Sequence, residues 1–344
     1  MNALRQRRIG STDLRVGELG LGTASFGNLY EARRDSQIAQ AAQIALEGGI
    51  RYFDTAPFYG YGLAERRLGD AIRAVPDRLV STKVGRVLHP LAKAAAGRES
   101  DGFVGPLPFQ PQFDYTYDGV MRSHEASLHR LGLARVDIVF VHDIGDRTHG
   151  AEAGLYWTQL FDEGGYKALC ELKASAAIGA IGLGVNETAA CLEAMKHGEW
   201  DVFLLAGRYT LLEQGALDDF FPALGEHGAT AILGGIYNSG ILASGTGTAN
   251  PPRYDYSPAG ERIIARVARI EDTCRHFGVD LASAALHFAL AHPLVSSVIP
   301  GPANGNETSA LIASYGAAIP REFWRELRRQ GLLREDAPLP GEAA

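Results

Sequence analysis

The sequence predicts an α/β protein built as a (β/α)8 barrel, that is, a TIM barrel. Along most of its 344 residues, short apolar runs alternate with longer amphipathic segments, as expected where strands and helices alternate. The short runs are rich in Val, Ile, Leu and Phe without polar alternation, which is typical of parallel strands covered on both faces. Eight such units favour a closed barrel over a doubly wound sheet, the rival architecture. The expected strands are residues 17–23, 51–54, 78–85, 136–143, 180–186, 201–207, 229–235 and 296–301.

The chain before the first strand predicts an N-terminal β-hairpin. Residues 7–17 contain two short extended runs around the turn-forming sequence Ser-Thr-Asp, and in a barrel such a hairpin could close the floor. No low-complexity linker divides the chain, so we expect one domain over residues 1–344. The amphipathic segments between the strands predict helices at residues 36–49, 64–73, 119–133, 166–179, 187–198 and 218–228, and one long helical region at residues 261–291.

Two connections are longer than the rest, residues 85–118 and 237–260. Long loops in compact domains are commonly functional, and both follow strands, which places them on the C-terminal face where barrels of this type keep their active sites. Aromatic residues in the loops 86–118 and 143–164 either line a substrate pocket or pack the loops themselves. These residues are Phe109, Tyr156 and Trp157.

Composition excludes several classes of partner. The formal net charge is −7, whereas nucleic-acid binding requires a basic patch. No continuous apolar run of about 18 residues predicts a membrane span, and no apolar run behind the basic N-terminus predicts a secretory signal. The three cysteines are far apart and suit neither complete pairing nor a metal site. We expect buried reduced thiols, a cytoplasmic location, a small-molecule substrate and a monomer or homodimer.

Polar side chains stand at the C-terminal ends of four consecutive strands. Asp54 ends the second strand with Tyr59 just beyond it, Lys83 ends the third, His142 the fourth and Asn186 the fifth. Because parallel barrel strands all deliver these ends to one face, we expect the side chains to converge on one pocket.

Their chemistry is that of proton transfer without a metal or a covalent nucleophile. A tyrosine has a pKa of about 10 in water, an adjacent ammonium favours the phenolate, and a carboxylate keeps that ammonium charged. A neutral imidazole can orient a substrate oxygen. Tyr59, Lys83, Asp54 and His142 therefore suit interconversion of a carbonyl and an alcohol, with hydride exchanged with a nicotinamide.

The same residues lie in motifs that resemble the aldo-keto reductase family. The matching motifs are GIRYFDTAPFYGYG (49–62), STKVGR (81–86), VHD (141–143) and GLGVN (182–186), and the resemblance extends from residue 18 to residue 301. It implies a (β/α)8 barrel that binds NAD(P)(H) on its C-terminal face, with Tyr59 as general acid/base and Asn186 on the nicotinamide carboxamide. It also implies a catalytic tetrad of Tyr59, Lys83, Asp54 and His142. We expect cofactor contacts at Gly22, Thr23, Asp54, Asn186, Tyr237, Asn238, Ser239, Gly240, Gly301 and Glu307.

A narrower likeness concerns residues 51–69, 113–133, 204–214, 237–245 and 337–340. These segments are similar to the group of D-threo-aldose 1-dehydrogenases, L-fucose dehydrogenases and pyridoxal 4-dehydrogenases. The likeness implies NAD-dependent oxidation of the anomeric carbon of a sugar such as L-fucose or D-arabinose to the lactone. The alternatives are a pyridoxal 4-dehydrogenase, a general NADPH-dependent carbonyl reductase and, from another class, a cofactor-binding regulatory subunit of a membrane protein.

Three departures from the broader family pattern bear on the cofactor. Glu307 stands near the position of the basic residue that binds the 2′-phosphate of NADP, and no Lys or Arg occurs between Gly301 and Tyr315. A carboxylate there favours NAD, unless Glu307 only stabilises the first helical turn. Glycines replace the usual nicotinamide-stacking tyrosine, so Tyr237 could substitute for it. Arg208, near the usual glutamine, either binds the carboxamide or pairs with a loop carboxylate.

Overall fold

The computed structural model describes residues 4–93, 98–247 and 251–342, and its centre is a barrel of eight parallel strands. Consecutive strands of this barrel are neighbours in the sheet. The eighth strand returns to the first, since Leu19 bridges Val298 in parallel and the Gly20 N–H donates to the Val298 carbonyl at 2.9 Å. The predicted (β/α)8 barrel is thereby confirmed. In chain order the barrel strands are Leu21–Gly22, Tyr52–Asp54, Leu79–Val84, Ile138–His142, Ala180–Val185, Val202–Ala206, Thr230–Gly234 and Val295–Val298.

Helices follow the strands on the outside of the barrel. The expected helical region 261–291 consists of two helices. Gly278 has φ +64° and ends the first, and the Asp280 carboxylate accepts the Ser283 N–H at 2.8 Å to begin the second. The α-helices are Asp35–Glu47, Leu63–Ile72, Tyr117–Leu131, Asp146–His149, Ala153–Phe161, Gly165–Ala174, Thr188–Met195, Phe220–His227, Ile241–Ser244, Glu261–Phe277, Leu281–Ala291, Gly305–Tyr315 and Arg321–Arg329.

The N-terminal hairpin closes the floor of the barrel, as the sequence predicts. Its strands Gln6–Arg8 and Arg15–Gly17 pair antiparallel, and Ile9 and Val16 are fully buried against the lower interior of the barrel. At the turn, Gly10 has φ +48°, and a Cβ there would lie 2.5 Å from the Asp201 carbonyl oxygen. Only glycine fits so close an approach.

Both long connections carry structure of their own above the C-terminal ends of the strands. In the first, Arg86–Pro90 pairs antiparallel with Phe109–Phe113. In the second, Arg253–Tyr254 pairs with Ser257–Pro258. Residues 94–97 and 248–250 of these connections lie outside the described residues.

Within those described ranges, no helix combines the length and the apolar character needed to cross a membrane. The three cysteines are unpaired thiols. Cys191 and Cys274 are buried as expected, whereas Cys170 is half-buried.

Candidate active site

A buried ion pair lies at the C-terminal ends of the second and third strands. The Lys83 Nζ atom donates to Asp54 Oδ2 at 2.6 Å and to the Thr55 carbonyl at 2.9 Å. Burial is the largest single effect and disfavours the ammonium, but Asp54 and Tyr59 together outweigh it and raise the pKa of Lys83. Lys83 therefore remains charged, and its position is fixed.

Two residues that the sequence analysis missed hold the other side of this carboxylate. The Ser81 hydroxyl donates to Asp54 Oδ1 at 2.7 Å, and the Tyr52 hydroxyl lies 2.9 Å from Ser81 Oγ. Ser81 precedes Lys83 by two residues, as Tyr52 precedes Asp54, and alternate residues of a strand share a face. That two-residue spacing is the sequence signal that could have identified both.

Tyr59 lies just past the second strand, on a turn packed against the 3₁₀ helix Ala24–Gly27. A Cβ on Gly27 would lie 2.5 Å from the Tyr59 carbonyl carbon, so glycine permits this close backbone contact. The Lys83 Nζ atom is 4.8 Å from the centre of the Tyr59 ring. Burial raises the pKa of Tyr59 to about 12 and outweighs the lowering by the Lys83 ammonium. The phenol is thus protonated near neutral pH, although Lys83 acts in the expected direction.

His142 ends the fourth strand behind Tyr59, with ring centres 6.0 Å apart and ring planes at 88°. Burial, followed by the cations of Arg86 and Lys83, lowers the pKa of His142 well below its usual range, so the imidazole is neutral. Its Nδ1 atom has no hydrogen-bond partner among the described residues, and its backbone carbonyl accepts the Tyr115 hydroxyl at 2.7 Å.

A cavity of about 770 Å³ opens over this face of the barrel. Among the described residues, Asp54 and Tyr59 line it, and Lys83 and His142 adjoin Tyr59. The predicted cofactor contacts converge on the cavity without exception. They are Gly22, Thr23, Asp54, Asn186, Tyr237, Asn238, Ser239, Gly240, Gly301 and Glu307.

Glycines form part of the cavity wall. Gly207, Gly235 and Gly240 all have positive φ and present backbone along its wall, as segments that approach a pyrophosphate do. A Cβ added at Gly240 would meet nothing within 4 Å, so open space lies beside that turn. At Gly22, by contrast, there is no room for a side chain, because a Cβ there would lie 2.8 Å from the Ile299 carbonyl oxygen.

Glu307 caps the helix Gly305–Tyr315 and also borders the cavity. Its Oε2 accepts the Ala303 N–H at 2.8 Å, and its Oε1 accepts the Asn304 amide at 2.6 Å. In return, Asn304 Oδ1 accepts the Glu307 N–H at 3.0 Å. Glu307 therefore stabilises the first helical turn, and its carboxylate also stands at the cavity wall, while the preference for NAD stays a prediction.

The loop 251–256 crosses the cavity and contacts Asn186, a role that the sequence analysis did not identify. The Asn186 amide donates to the Tyr256 hydroxyl at 3.2 Å, and Tyr256 N–H donates to Ser239 Oγ at 2.9 Å. Arg208 donates to the Asn186 carbonyl at 2.6 Å and to Asp255 at 2.7 Å. Arg208 is therefore paired with a loop carboxylate, the second of the two expectations for it.

Tyr237 borders the cavity, whereas two aromatic residues of the loop 143–164 pack against neighbouring rings. Burial, followed by the neighbouring Asp280, raises the pKa of Tyr237. Tyr156 stacks on His149 at 3.9 Å between ring centres, and Trp157 stacks on Phe161 at 5.9 Å. Neither these two nor Phe109 is part of the cavity wall in the described parts of the chain.

Comparisons with known proteins identify the family of the chain. Residues 18–330 match the model of the aldo/keto reductase family. The chain is 40% identical to a pyridoxal 4-dehydrogenase of Microbacterium luteolum, over 97% of this chain and 99% of that protein. It is 35% identical to a D-threo-aldose 1-dehydrogenase of a Pseudomonas species, over 93% and 95% of the two chains.

Among solved structures, the holo form of an aldo-keto reductase from Bacillus halodurans has the same fold. Its TM-score is 0.75 at 22% identity, with 98% of this chain and 99% of that chain covered. At this identity the likeness concerns the fold alone.

Proposed function

This chain belongs to the aldo/keto reductase family, and we propose that it oxidises a cyclic hemiacetal to a lactone with NAD⁺. The family makes it an oxidoreductase of CH–OH or carbonyl groups that uses a nicotinamide cofactor. The proposed substrate is an aldose such as L-fucose or D-arabinose, oxidised at the anomeric carbon, and the 35% identical aldose dehydrogenase supports it. The 40% identical relative favours pyridoxal as a second candidate, because pyridoxal also forms a cyclic hemiacetal.

One observation carries the proposed chemistry: Tyr59 lines the cavity with the buried Lys83–Asp54 ion pair directly behind its ring. In oxidation, Tyr59 takes the proton of the C1 hydroxyl as general base. Lys83 stabilises the phenolate through which Tyr59 acts, and Asp54 keeps Lys83 charged and in place. His142, uncharged, orients the substrate oxygen.

The cofactor would lie along the cavity, with its carboxamide at Asn186 and its phosphates beside the turn 238–240. A nicotinamide held there would supply the acceptor for the hydride of C1, whose bond to oxygen becomes the lactone carbonyl once Tyr59 has taken the hydroxyl proton. NAD preference is proposed because the charge of Glu307 at the cavity wall repels a 2′-phosphate. Arg33 also borders the cavity, but its guanidinium pairs with Glu31 at 2.7 Å.

The test is initial-rate oxidation by the purified protein with L-fucose, D-arabinose, L-galactose, L-xylose and pyridoxal, each with NAD⁺ and with NADP⁺. Turnover of a sugar with NAD⁺ is the expected result. Preference for pyridoxal would retain the mechanism and replace the substrate. If none of these substrates were oxidised and the protein reduced simple aldehydes with NADPH, the proposal would be overturned in favour of a general carbonyl reductase.

A further inference from the structure

Arg86 is a buried cation that the proposed mechanism does not use. Its side chain is 6% exposed and lies between two aromatic rings, 4.2 Å from the centre of Phe58 and 4.8 Å from that of Phe113. Its Nη2 donates to Asp143 Oδ2 at 2.9 Å. Its Nη1 is buried and has no partner among the described residues.

The carboxylate that Arg86 contacts also borders His142. Asp143 Oδ2 lies 3.3 Å from His142 Nε2, so one oxygen atom adjoins both the guanidinium and the imidazole. The backbone of Asp143 is held in this position, because φ is +49° and its N–H donates to the Gly184 carbonyl at 2.9 Å. An almost buried charge pair contributes little net stability compared with apolar side chains of the same volume, which makes a functional role for this pair worth testing.

We propose that Arg86 and Asp143 are positioning residues for His142. The negative charge of the Asp143 carboxylate, 3.3 Å from Nε2, favours the tautomer with the imidazole proton on Nε2, which can then be donated to the substrate oxygen. The Arg86 guanidinium neutralises that carboxylate, so that Asp143 can hold the ring without making it an imidazolium. The consequence for catalysis rests on the proposed function, but the state of His142 can be measured independently of it.

The charges around His142 allow the effects of Arg86 and of Asp143 to be distinguished by experiment. Cations face it from the third strand and the segment after it, the Asp143 carboxylate follows it directly, and phenols lie nearby, one of which contacts a second imidazole. Removing the guanidinium leaves Asp143 as an unopposed negative neighbour and favours the imidazolium. Removing the negative charge of the carboxylate leaves only cations as charged neighbours, so the ring stays neutral but loses the charge that favours a proton on Nε2. The groups that face His142 are Lys83, Arg86, Asp143, Tyr59, Tyr115 and His149.

The test combines histidine NMR titration with pH profiles of kcat/KM. In the native protein the His142 resonance, assigned through His142→Gln, should remain that of a neutral imidazole over the pH range in which the protein is folded. Arg86→Met should raise the pKa of His142, so that the resonance begins to titrate at the acid end of that range, and should add an acid limb to kcat/KM. Arg86→Lys should preserve the native behaviour of the resonance. Arg122→Met, which removes an exposed arginine paired with Asp114, is the matched control and should change nothing.

Asp143→Asn should lower kcat by about tenfold or more without an acid limb, and the ¹⁵N shifts of His142 should report a mixture of tautomers. The double variant Arg86→Met/Asp143→Asn should lack the acid limb expected of Arg86→Met, because the carboxylate that favours the imidazolium is then absent. The inference would be overturned if His142 kept its native titration and its native tautomer in both Arg86→Met and Asp143→Asn, each of them folded. If Arg86→Met does not fold, Arg86→Lys and Asp143→Asn still decide the matter. Altered NMR behaviour with no turnover in any protein would instead contradict the proposed function alone.

Discussion

The Lys83 ammonium contacts the Asp54 carboxylate at 2.6 Å, and both side chains are at most 3% exposed. A buried pair of this kind depends on both partners, since a lone charge left in the interior is costly. We expect Asp54→Leu alone to lower the free energy of unfolding by about 3–5 kcal/mol. Lys83→Met/Asp54→Leu together should recover much of that stability but none of the turnover. Equal stability of the double and single variants in urea denaturation would contradict this account of the pair.

Replacing Tyr59 with phenylalanine should separate catalysis from binding. The ring and its contact with Lys83 remain, while the hydroxyl that exchanges the proton is lost. Turnover should fall by about 10²- to 10⁴-fold, the usual contribution of a general acid or base. Cofactor affinity, measured by quenching of protein fluorescence, should stay within about twofold of native. Full turnover in the folded variant would remove Tyr59 from the mechanism.

The pH dependence follows from the raised pKa of Tyr59, about 12. Oxidation requires the phenolate, whose fraction rises tenfold per pH unit below the pKa, so kcat/KM for oxidation should increase with pH with a slope near one. Reduction requires the phenol, which remains protonated, and its rate should be flat over the same range. Rate profiles in both directions from pH 6 to about pH 10 check this, and an oxidative rate that does not change with pH would contradict it.

Removing the charge of Glu307 should relax the preference for NAD. Glu307→Gln keeps a capping acceptor but no longer repels a 2′-phosphate, so kcat/KM with NADP⁺ should rise about fivefold while that with NAD⁺ changes little. The matched control is Glu261→Gln, which removes an acidic residue from the first turn of another helix. The same gain in both variants would mean that overall charge, and not Glu307, is responsible.

Asp255 should control how fast the cofactor leaves. Its carboxylate joins the loop 251–256 to the barrel through Arg208 at 2.7 Å and Arg147 at 2.9 Å. Asp255→Asn should weaken both contacts and accelerate dissociation of the reduced cofactor about two- to tenfold, as measured by stopped-flow displacement. Asp272→Asn, on an exposed helical pair with Arg275, is the control, and equal rates in both would exclude a role for the Asp255 contacts.

Much of the fold and of the candidate site could be read from the sequence because parallel strands constrain both. Once eight apolar runs indicate a closed barrel, the ends of those runs must share a face, and Asp54, Lys83 and His142 are brought near Tyr59 by topology alone. These contacts required no knowledge of loop conformation, although the catalytic roles stay predictions.

Features that depend on side-chain rotamers or on distant loop pairing were not readable in this way. The direction of the Glu307 carboxylate decides whether it caps a helix, and the sequence was compatible with either outcome. Arg86–Pro90 pairs with a strand about twenty residues away, and Tyr256 reaches Asn186 across 70 residues of chain. The sign of the Tyr59 shift was also missed, because it depends on burial outweighing one nearby charge.

Ile9 and Val16 seal the barrel at the end opposite to the candidate catalytic groups. Tolerance to mutation should therefore differ between the two ends of the molecule. Libraries that randomise the loops above the cavity can change substrate range while the apolar plug maintains the scaffold, whereas substitutions in the hairpin should lower expression without altering selectivity. This division makes the chain a suitable host for grafted specificity loops.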